Sequence, residues 1–165
     1  MNKLLLIFVP FLILASALLY FITTQDKTQT LDQASEEKVE KRAKFLIYTH
    51  NTLRDFSDKK YHDLSSKVYV TSDSPEEIIV KMQGTTWDSF FKTLPMKLDE
   101  NCLITGTGQT FCTDQINSLK FYVNGSFNSA APFEEINDGD RLLISFGPIN
   151  DPNIDSQLEA LENLK

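Results

Sequence analysis

The N-terminal segment is the feature that most limits how this chain can fold. Residues 4–22, LLLIFVPFLILASALLYFI, carry no charged side chain. A helix of this length rises about 28 Å at roughly 1.5 Å per residue, close to the roughly 30 Å of a hydrocarbon core. Pro10 is compatible with such a helix, because proline is tolerated within membrane helices. The sequence therefore predicts a transmembrane helix at residues 4–22, and the remaining residues must supply the folded domain.

A cleaved secretory signal peptide is the competing interpretation of this segment. Ala15-Ser16-Ala17 offers a small-x-small cleavage site of the kind that signal peptidases recognise. Residues 18–22 beyond that site are apolar, so cleavage there would fall inside the apolar run. The length and flanks favour an uncleaved signal-anchor, and removal of the segment stays an open alternative.

The flanking charges predict the orientation of the anchor. The amino terminus and Lys3 are positive, so residues 1–3 are expected to form a short cytoplasmic end, although Lys27 on the other side weakens the contrast. The expected localisation is that of a single-pass membrane protein whose body is extracytoplasmic. Cleavage of the segment would leave the body outside the cytosol as well.

The net charge of the chain limits which partners the extracytoplasmic body can bind. The sequence has 16 Lys and Arg against 23 Asp and Glu, a formal net charge of −7. An acidic surface repels the phosphates of nucleic acids and of anionic lipid headgroups. We therefore expect no nucleic-acid partner, and we expect contact with the membrane only through residues 4–22.

The rest of the chain divides into three segments. Residues 23–43 are polar and place acidic residues four positions before lysines, as in Glu37/Lys41 and Glu40/Lys44, which predicts a polar helical stalk. Residues 44–147 are predicted to form an α+β extracytoplasmic domain. Residues 148–165 are predicted to form a C-terminal helical tail.

The predicted domain combines several strands with one main helix. Residues 85–95, TTWDSFFKTLP, bring Trp87, Phe90, Phe91 and Leu94 onto one helical face, and this apolar stripe is typical of packing against a sheet. Runs rich in strand-forming residues occur at 44–50, 67–70, 76–82, 118–125 and 141–147. We predict a small mixed or antiparallel sheet packed on one main helix, with a β-grasp-like arrangement as one candidate.

The two cysteines, Cys102 and Cys112, lie in the segment NCLITGTGQTFC. Their spacing differs from the Cys-x-x-Cys of thioredoxin-like enzymes, and neither is followed by a helix signal. The Gly106-x-Gly108 pair lacks the third glycine of a dinucleotide loop and the Gly-Lys-Ser/Thr of a P-loop. In an oxidising compartment a structural disulfide that closes a loop is the favoured interpretation. Catalytic redox chemistry and metal binding remain less favoured alternatives.

Other candidate sites are weaker. Asp151, Asn153, Asp155 and Glu162 have the spacing of positions 1, 3, 5 and 12 of a calcium loop, but the sixth position is Ser156 instead of glycine. We prefer a helix start at this point and keep those four residues as weak metal candidates. His50 and His62 have no acid or serine at a recognisable spacing, so no catalytic triad is predicted. The sequence indicates no cofactor.

Five motifs, in the same order along the chain, resemble a known family: AKFLIYTH…RDFSDKKY, TTWDSFFKTLPM, NCLITGTGQTFC, LKFYVNG and DGDRLLISFG. They are similar to those of small N-terminally anchored extracytoplasmic proteins of candidate-phylum bacteria. Members of that family are mostly uncharacterised and are sometimes labelled protein-disulfide isomerase. The resemblance covers residues 43–164. The family carries His-x-His-like runs where this chain has Arg42, residues 68–70 and Lys81.

Two functions from different classes follow. The first is a non-enzymatic, membrane-tethered domain with a structural disulfide loop, which binds or assembles with a protein partner of the cell envelope. The second, implied by the label of the similar family, is a thiol–disulfide oxidoreductase that uses Cys102 and Cys112. We favour the first, because no convergent set of catalytic side chains is evident in the sequence.

Overall fold

The fold is known from a computed structural model that describes residues 38–164. The predicted cytoplasmic end, the anchor and residues 23–37 of the stalk lie outside the described residues. Within residues 38–164, no helix combines the length and the apolar character needed to cross a membrane.

Strands dominate the described region and helices are few, so the predicted α+β class is confirmed. The elements are, in order, β1 (Lys38–Thr49), β2 (Thr52–Leu53), β3 (Val68–Tyr69), β4 (Glu77–Met82), α1 (Trp87–Phe91), β5 (Lys97–Leu98), β6 (Cys102–Ile104), β7 (Thr110–Cys112), β8 (Asn117–Val123), β9 (Ser126–Phe127), β10 (Arg141–Pro148) and α2 (Ile154–Glu162). Single 3-10 turns occur at Lys59–Tyr61 and Ala131–Phe133.

A main sheet of seven strands organises the domain. Its order is β3-β4-β1-β10-β8-β9, and β2 pairs with β1 at the end of that strand. The central strands β1 and β10 run parallel, with Ile47 opposite Ile144, and the other pairs are antiparallel. Both central strands are rich in apolar residues on both faces, which is the pattern of strands covered on both sides.

One face of the main sheet carries the larger core. Phe45 of β1 and Phe121 of β8 lie on this face and are buried together with Trp87 and Phe90 of α1. The sequence placed Trp87 in the core, and its side chain has no exposed surface. The helix is shorter than the predicted 85–95. The hydroxyl of Thr86 accepts a hydrogen bond from the Ser89 backbone and caps its start.

The opposite face of the sheet is covered by α2. Leu161 is buried against Leu46 and Leu143. The guanidinium of Arg141 donates to the Leu161 carbonyl at 2.5 Å, and Lys44 Nζ donates to the Leu164 carbonyl at 2.9 Å. These cations satisfy carbonyls at the helix C-terminus, where positive charge is favourable. A helix therefore lies on each face of the sheet: α1 on one face and, on the other, α2, which lies within the predicted helical tail at residues 148–165.

Residues 38–43 correct the predicted stalk. The sequence assigns them to a polar helix, whereas in the structure they form the first half of β1 and pair with β4. Lys81 Nζ donates to the Glu40 carboxylate at 2.8 Å, and Lys41 Nζ donates to Glu135 at 2.7 Å. The charged side chains find partners on other segments of the chain, so their spacing along the sequence was not evidence for a helix.

Docking of α2 can be tested at Leu161. Replacing Leu161 by Ala should reduce the free energy of unfolding by about 2–5 kcal/mol, because the small core on this face would lose a fully buried side chain. Urea unfolding of the purified full-length protein measures the change. Glu159→Ala, on the exposed side of the same helix, should stay within about 0.5 kcal/mol of the wild type. Equal losses for the two variants would show that the helix does not depend on this contact.

Candidate functional site

The predicted disulfide is present in the structure. Cys102 and Cys112 are bonded to each other, with their Cα atoms 4.1 Å apart. They lie directly opposite one another in the antiparallel pairing of β6 with β7. We refer to β6, residues 105–109 and β7 as the disulfide hairpin. The bond therefore closes the two strands of one hairpin at the end away from its tip.

The disulfide hairpin has an inner and an outer face. Leu103 is opposite Phe111, and both pack against the main core, with Leu103 fully buried. Because neighbouring residues of a strand point to opposite faces, the two cysteines lie on the outer face. Both are partly exposed. The hairpin is thus held to the domain by its apolar face and braced by the disulfide on the other.

The two glycines at the tip of the hairpin are required for different reasons. A Cβ at Gly106 would lie 2.7 Å from the carbonyl oxygen of Pro95, so the loop can approach that backbone only without a side chain. Gly108 has a φ of +82° and open space around it, which is the left-handed conformation that glycine adopts readily. Packing and turn geometry account for Gly106-x-Gly108 without a bound phosphate.

Arg54 connects the disulfide hairpin to the segment that follows β2. Its backbone N–H donates to the Ile47 carbonyl at 2.8 Å. Its guanidinium lies 4.9 Å from the ring centroid of Phe111, and Nη1 donates to Gln109 Oε1 at 3.1 Å. A cation over an aromatic face is an attractive arrangement. One side chain therefore bridges two segments that are distant in sequence.

A groove of about 320 Å³ opens between these two segments. One wall is the chain at residues 53–56, and the other is the hairpin tip at residues 105–107. The lining is apolar at Ile47, Leu53, Phe56, Met96 and Leu103, and polar at Arg54, Asp55, Tyr61, Thr105 and Thr107. An apolar lining with a few polar groups is the usual composition of a ligand site, and this volume is at the small end of the range.

The charges of the groove are Arg54 and Asp55. The described residues provide no ion pair for Arg54, and its Nε–H is buried without a hydrogen-bond partner among them. The Asp55 carboxylate accepts the backbone N–H of Ser57 at 2.8 Å. Hydrogen bonds from the Ser57 backbone and then from its side chain lower the pKa of Asp55, so this carboxyl stays ionised at neutral pH. The groove lining thus contains one guanidinium without an ion pair among the described residues and one carboxylate that already accepts a backbone hydrogen bond.

The remaining sequence candidates are not assembled into a site. Asp151 Oδ1 accepts the backbone N–H of Asn153, and α2 begins at the next residue. The helix then carries Asp155 in its first turn and Glu162 at its end, so these carboxylates cannot meet as they would in a calcium loop. Within residues 38–164, no group of three or more His, Cys, Asp and Glu could hold a metal ion.

The two histidines have separate structural contacts. His62 Nε2 is 2.9 Å from the Phe56 carbonyl. His50 has a φ of 50° in the turn after β1, and its ring lies edge-on to those of Phe111 and Phe146. Both histidines therefore make contacts that are typical of residues in turns or packed against aromatic rings.

Sequence reasoning did not find the groove. Arg54 and Asp55 lie in the motif RDFSDKKY, for which the sequence predicted no site. The partners of Arg54 are Phe111 and Gln109, more than fifty positions later in the chain. No local pattern predicts such a contact, and only the position of the disulfide hairpin in the fold reveals it.

Comparison with known proteins adds no family to this description, because no family model, curated protein or solved structure matches the chain.

The two hairpin glycines give a direct test of this geometry. Gly106→Ala should lower the free energy of unfolding by about 1–3 kcal/mol, because the new Cβ would overlap the backbone oxygen of Pro95. Gly108→Asn is the matched control and should cost less than about 1 kcal/mol, since asparagine tolerates the left-handed conformation and the space is open. Thermal unfolding of both variants measures the difference. A larger loss for Gly108→Asn would contradict the close approach at Gly106.

Proposed function

We propose that this protein is a membrane-tethered extracytoplasmic domain that binds a protein partner of the cell envelope through the groove beside its disulfide hairpin. The observation that carries the proposal is the bridge that Arg54 makes from one wall of that groove to the disulfide hairpin, whose tip forms the other wall. The disulfide braces the hairpin to which Arg54 is joined. In this proposal the disulfide is structural and supports a binding surface.

Several features support an extracytoplasmic location. The uncharged run at residues 4–22 has the length of a membrane-spanning helix. A structural disulfide persists in an oxidising compartment and is rare in the cytosol. The resemblance of residues 43–164 to small anchored extracytoplasmic proteins supports the same location, with residues 1–3 on the cytoplasmic side and residues 23–37 as the spacer.

The order of the long strands supports a β-grasp-like description of the domain. Taken by position in the chain, β1, β4, β8 and β10 lie in the order second, first, fourth, third, and the first and fourth are parallel. The helix α1 falls between the second and third of these strands. Such a fold hosts many functions, so the proposed binding role depends on the groove.

Thiol–disulfide exchange is the alternative function. The partial exposure of Cys102 and Cys112 favours it, because an exchanging disulfide must be reached by a thiolate. The surroundings of Cys102 oppose it. The Asp99 carboxylate accepts the Cys102 backbone N–H at 2.7 Å, and a nearby negative charge disfavours the thiolate that such chemistry needs.

A redox titration separates the two functions. We expect the disulfide between Cys102 and Cys112 to have a reduction potential below about −300 mV, as structural disulfides do. Equilibration of the full-length protein in thiol buffers, followed by alkylation of free thiols and mass spectrometry, measures this potential. A value near about −200 mV would instead support an oxidoreductase and would overturn the structural assignment.

Site-specific cross-linking tests the binding proposal. A photoreactive amino acid at Thr107, on the groove wall, should yield a defined adduct with a protein in the native envelope. The same amino acid at Glu159, exposed on α2, is the control and should not give that adduct. Identical products from both positions, or none from Thr107, would contradict a binding role for the groove.

The same cross-linking experiment measures how much the disulfide contributes to partner binding. A Cys102→Ser/Cys112→Ser variant should lose about 3 kcal/mol of stability, the chain-entropy value for a short loop. The two strands of its hairpin would no longer be joined covalently, so the adduct from Thr107 should weaken by more than the unfolded fraction explains. An undiminished adduct would show that the groove does not need the disulfide.

A further inference from the structure

We infer that the groove recognises a carboxylate on its partner, carried by a short extended peptide segment that also presents a large apolar side chain. Arg54 would bind the carboxylate. This inference rests on the proposed function, because it names the chemistry of the partner at the same groove.

The unpaired charge of Arg54 is the first argument. In a chain with a net charge of −7, this guanidinium has no carboxylate partner among the described residues. Its Nη1 donates to Gln109, while its Nη2 has no hydrogen-bond partner among the described residues and is not a buried atom. A carboxylate that accepts from this free N–H group would form a charge-assisted hydrogen bond.

The rigidity of Arg54 is the second argument. The Ile47 carbonyl holds its backbone, and Phe111 lies beneath its guanidinium. A planar guanidinium that is already positioned loses little conformational freedom when it binds a carboxylate. Lysine cannot reproduce the planar fork, so the identity of the cation at position 54 is a specific feature of the site.

The shape of the groove indicates a peptide segment. The apolar lining includes Leu53, a residue that is 47% exposed. The volume of about 320 Å³ accommodates one large apolar side chain beside an acidic one. The walls are two stretches of chain that face each other, and an extended segment can lie between them.

Asp55 limits the charge of the ligand. Its carboxylate is engaged by the Ser57 backbone N–H and remains available as a repelling charge within the groove lining. A ligand with one carboxylate can pair with Arg54 and still avoid Asp55, whereas a strongly acidic run would meet repulsion. Removal of the Asp55 charge should therefore tighten the binding of an acidic peptide.

Two blocked tetrapeptides test the inference on the wild-type protein. The probes are acetyl-Ala-Leu-Glu-Ala-amide and its matched control, acetyl-Ala-Leu-Gln-Ala-amide. The Glu peptide should bind at least about tenfold more tightly, the difference expected for a charge-assisted hydrogen bond. Titration of the full-length protein in detergent micelles, followed by amide NMR signals of Arg54, Gly106 and Thr107, gives both dissociation constants.

Variants then assign the effect to individual residues. Arg54→Lys should abolish most of the preference for the Glu peptide, while Asp55→Asn should tighten its binding severalfold. Lys92→Gln removes an exposed cation of α1's C-terminal cap, outside the groove, and should change neither dissociation constant. Thermal unfolding of each variant verifies that it is folded, and the comparison of the two peptides needs no variant.

The possible results of these titrations contradict different parts of the inference. Equal binding of the Glu and Gln peptides, or an unchanged preference in Arg54→Lys, would overturn the carboxylate assignment. Acetate that binds as tightly as the Glu peptide would overturn the peptide assignment and indicate a small-acid site. If neither peptide binds while cross-linking from Thr107 still captures its partner, the carboxylate inference fails and the proposed binding function stands.

Discussion

The parallel pairing of β1 with β10 is the interaction on which the rest of the structure depends. It joins the first strand of the described chain to the last, with Phe45 opposite Leu142 and Ile47 opposite Ile144. Because these strands are central, each contributes apolar residues to both faces of the sheet. The larger core, the helix α2 and the attachment of the disulfide hairpin all require this pair to be formed.

The groove is a consequence of that arrangement. Ile47 of β1 lies in its lining and also accepts the backbone hydrogen bond of Arg54. Leu103 and Phe111 hold the disulfide hairpin against the same core. The two walls are therefore positioned by one strand and one core cluster, although they are far apart in sequence. A short disulfide-closed hairpin suits this role, because a small domain has few contacts with which to hold an exposed loop.

Local patterns in the sequence predicted the features that depend on local physics. The apolar stripe of Trp87, Phe90 and Phe91 marked the helix, and the compartment argument correctly paired Cys102 with Cys112. The predictions failed where contacts between residues distant in sequence determine the local structure. Residues 38–43 satisfy their charges across strands instead of along a helix. The partners of Arg54 could not be predicted either, since nothing near position 54 indicates where residues 109–111 will lie.

Buried polar atoms without a hydrogen-bond partner distinguish Arg54 from the other residues of the groove. The described region has four buried side-chain polar atoms without a partner, on Thr49, Arg54, Ser145 and Gln157. Three of them belong to neutral groups, whose burial costs about 1–3 kcal/mol each. The fourth is on a charged side chain, for which the cost is larger, and of the four residues only Arg54 contributes to the lining of the groove. Because its Nε is buried, a ligand in the groove would bind the guanidinium through Nη2, and the free energy of binding therefore depends on the planar guanidinium at position 54.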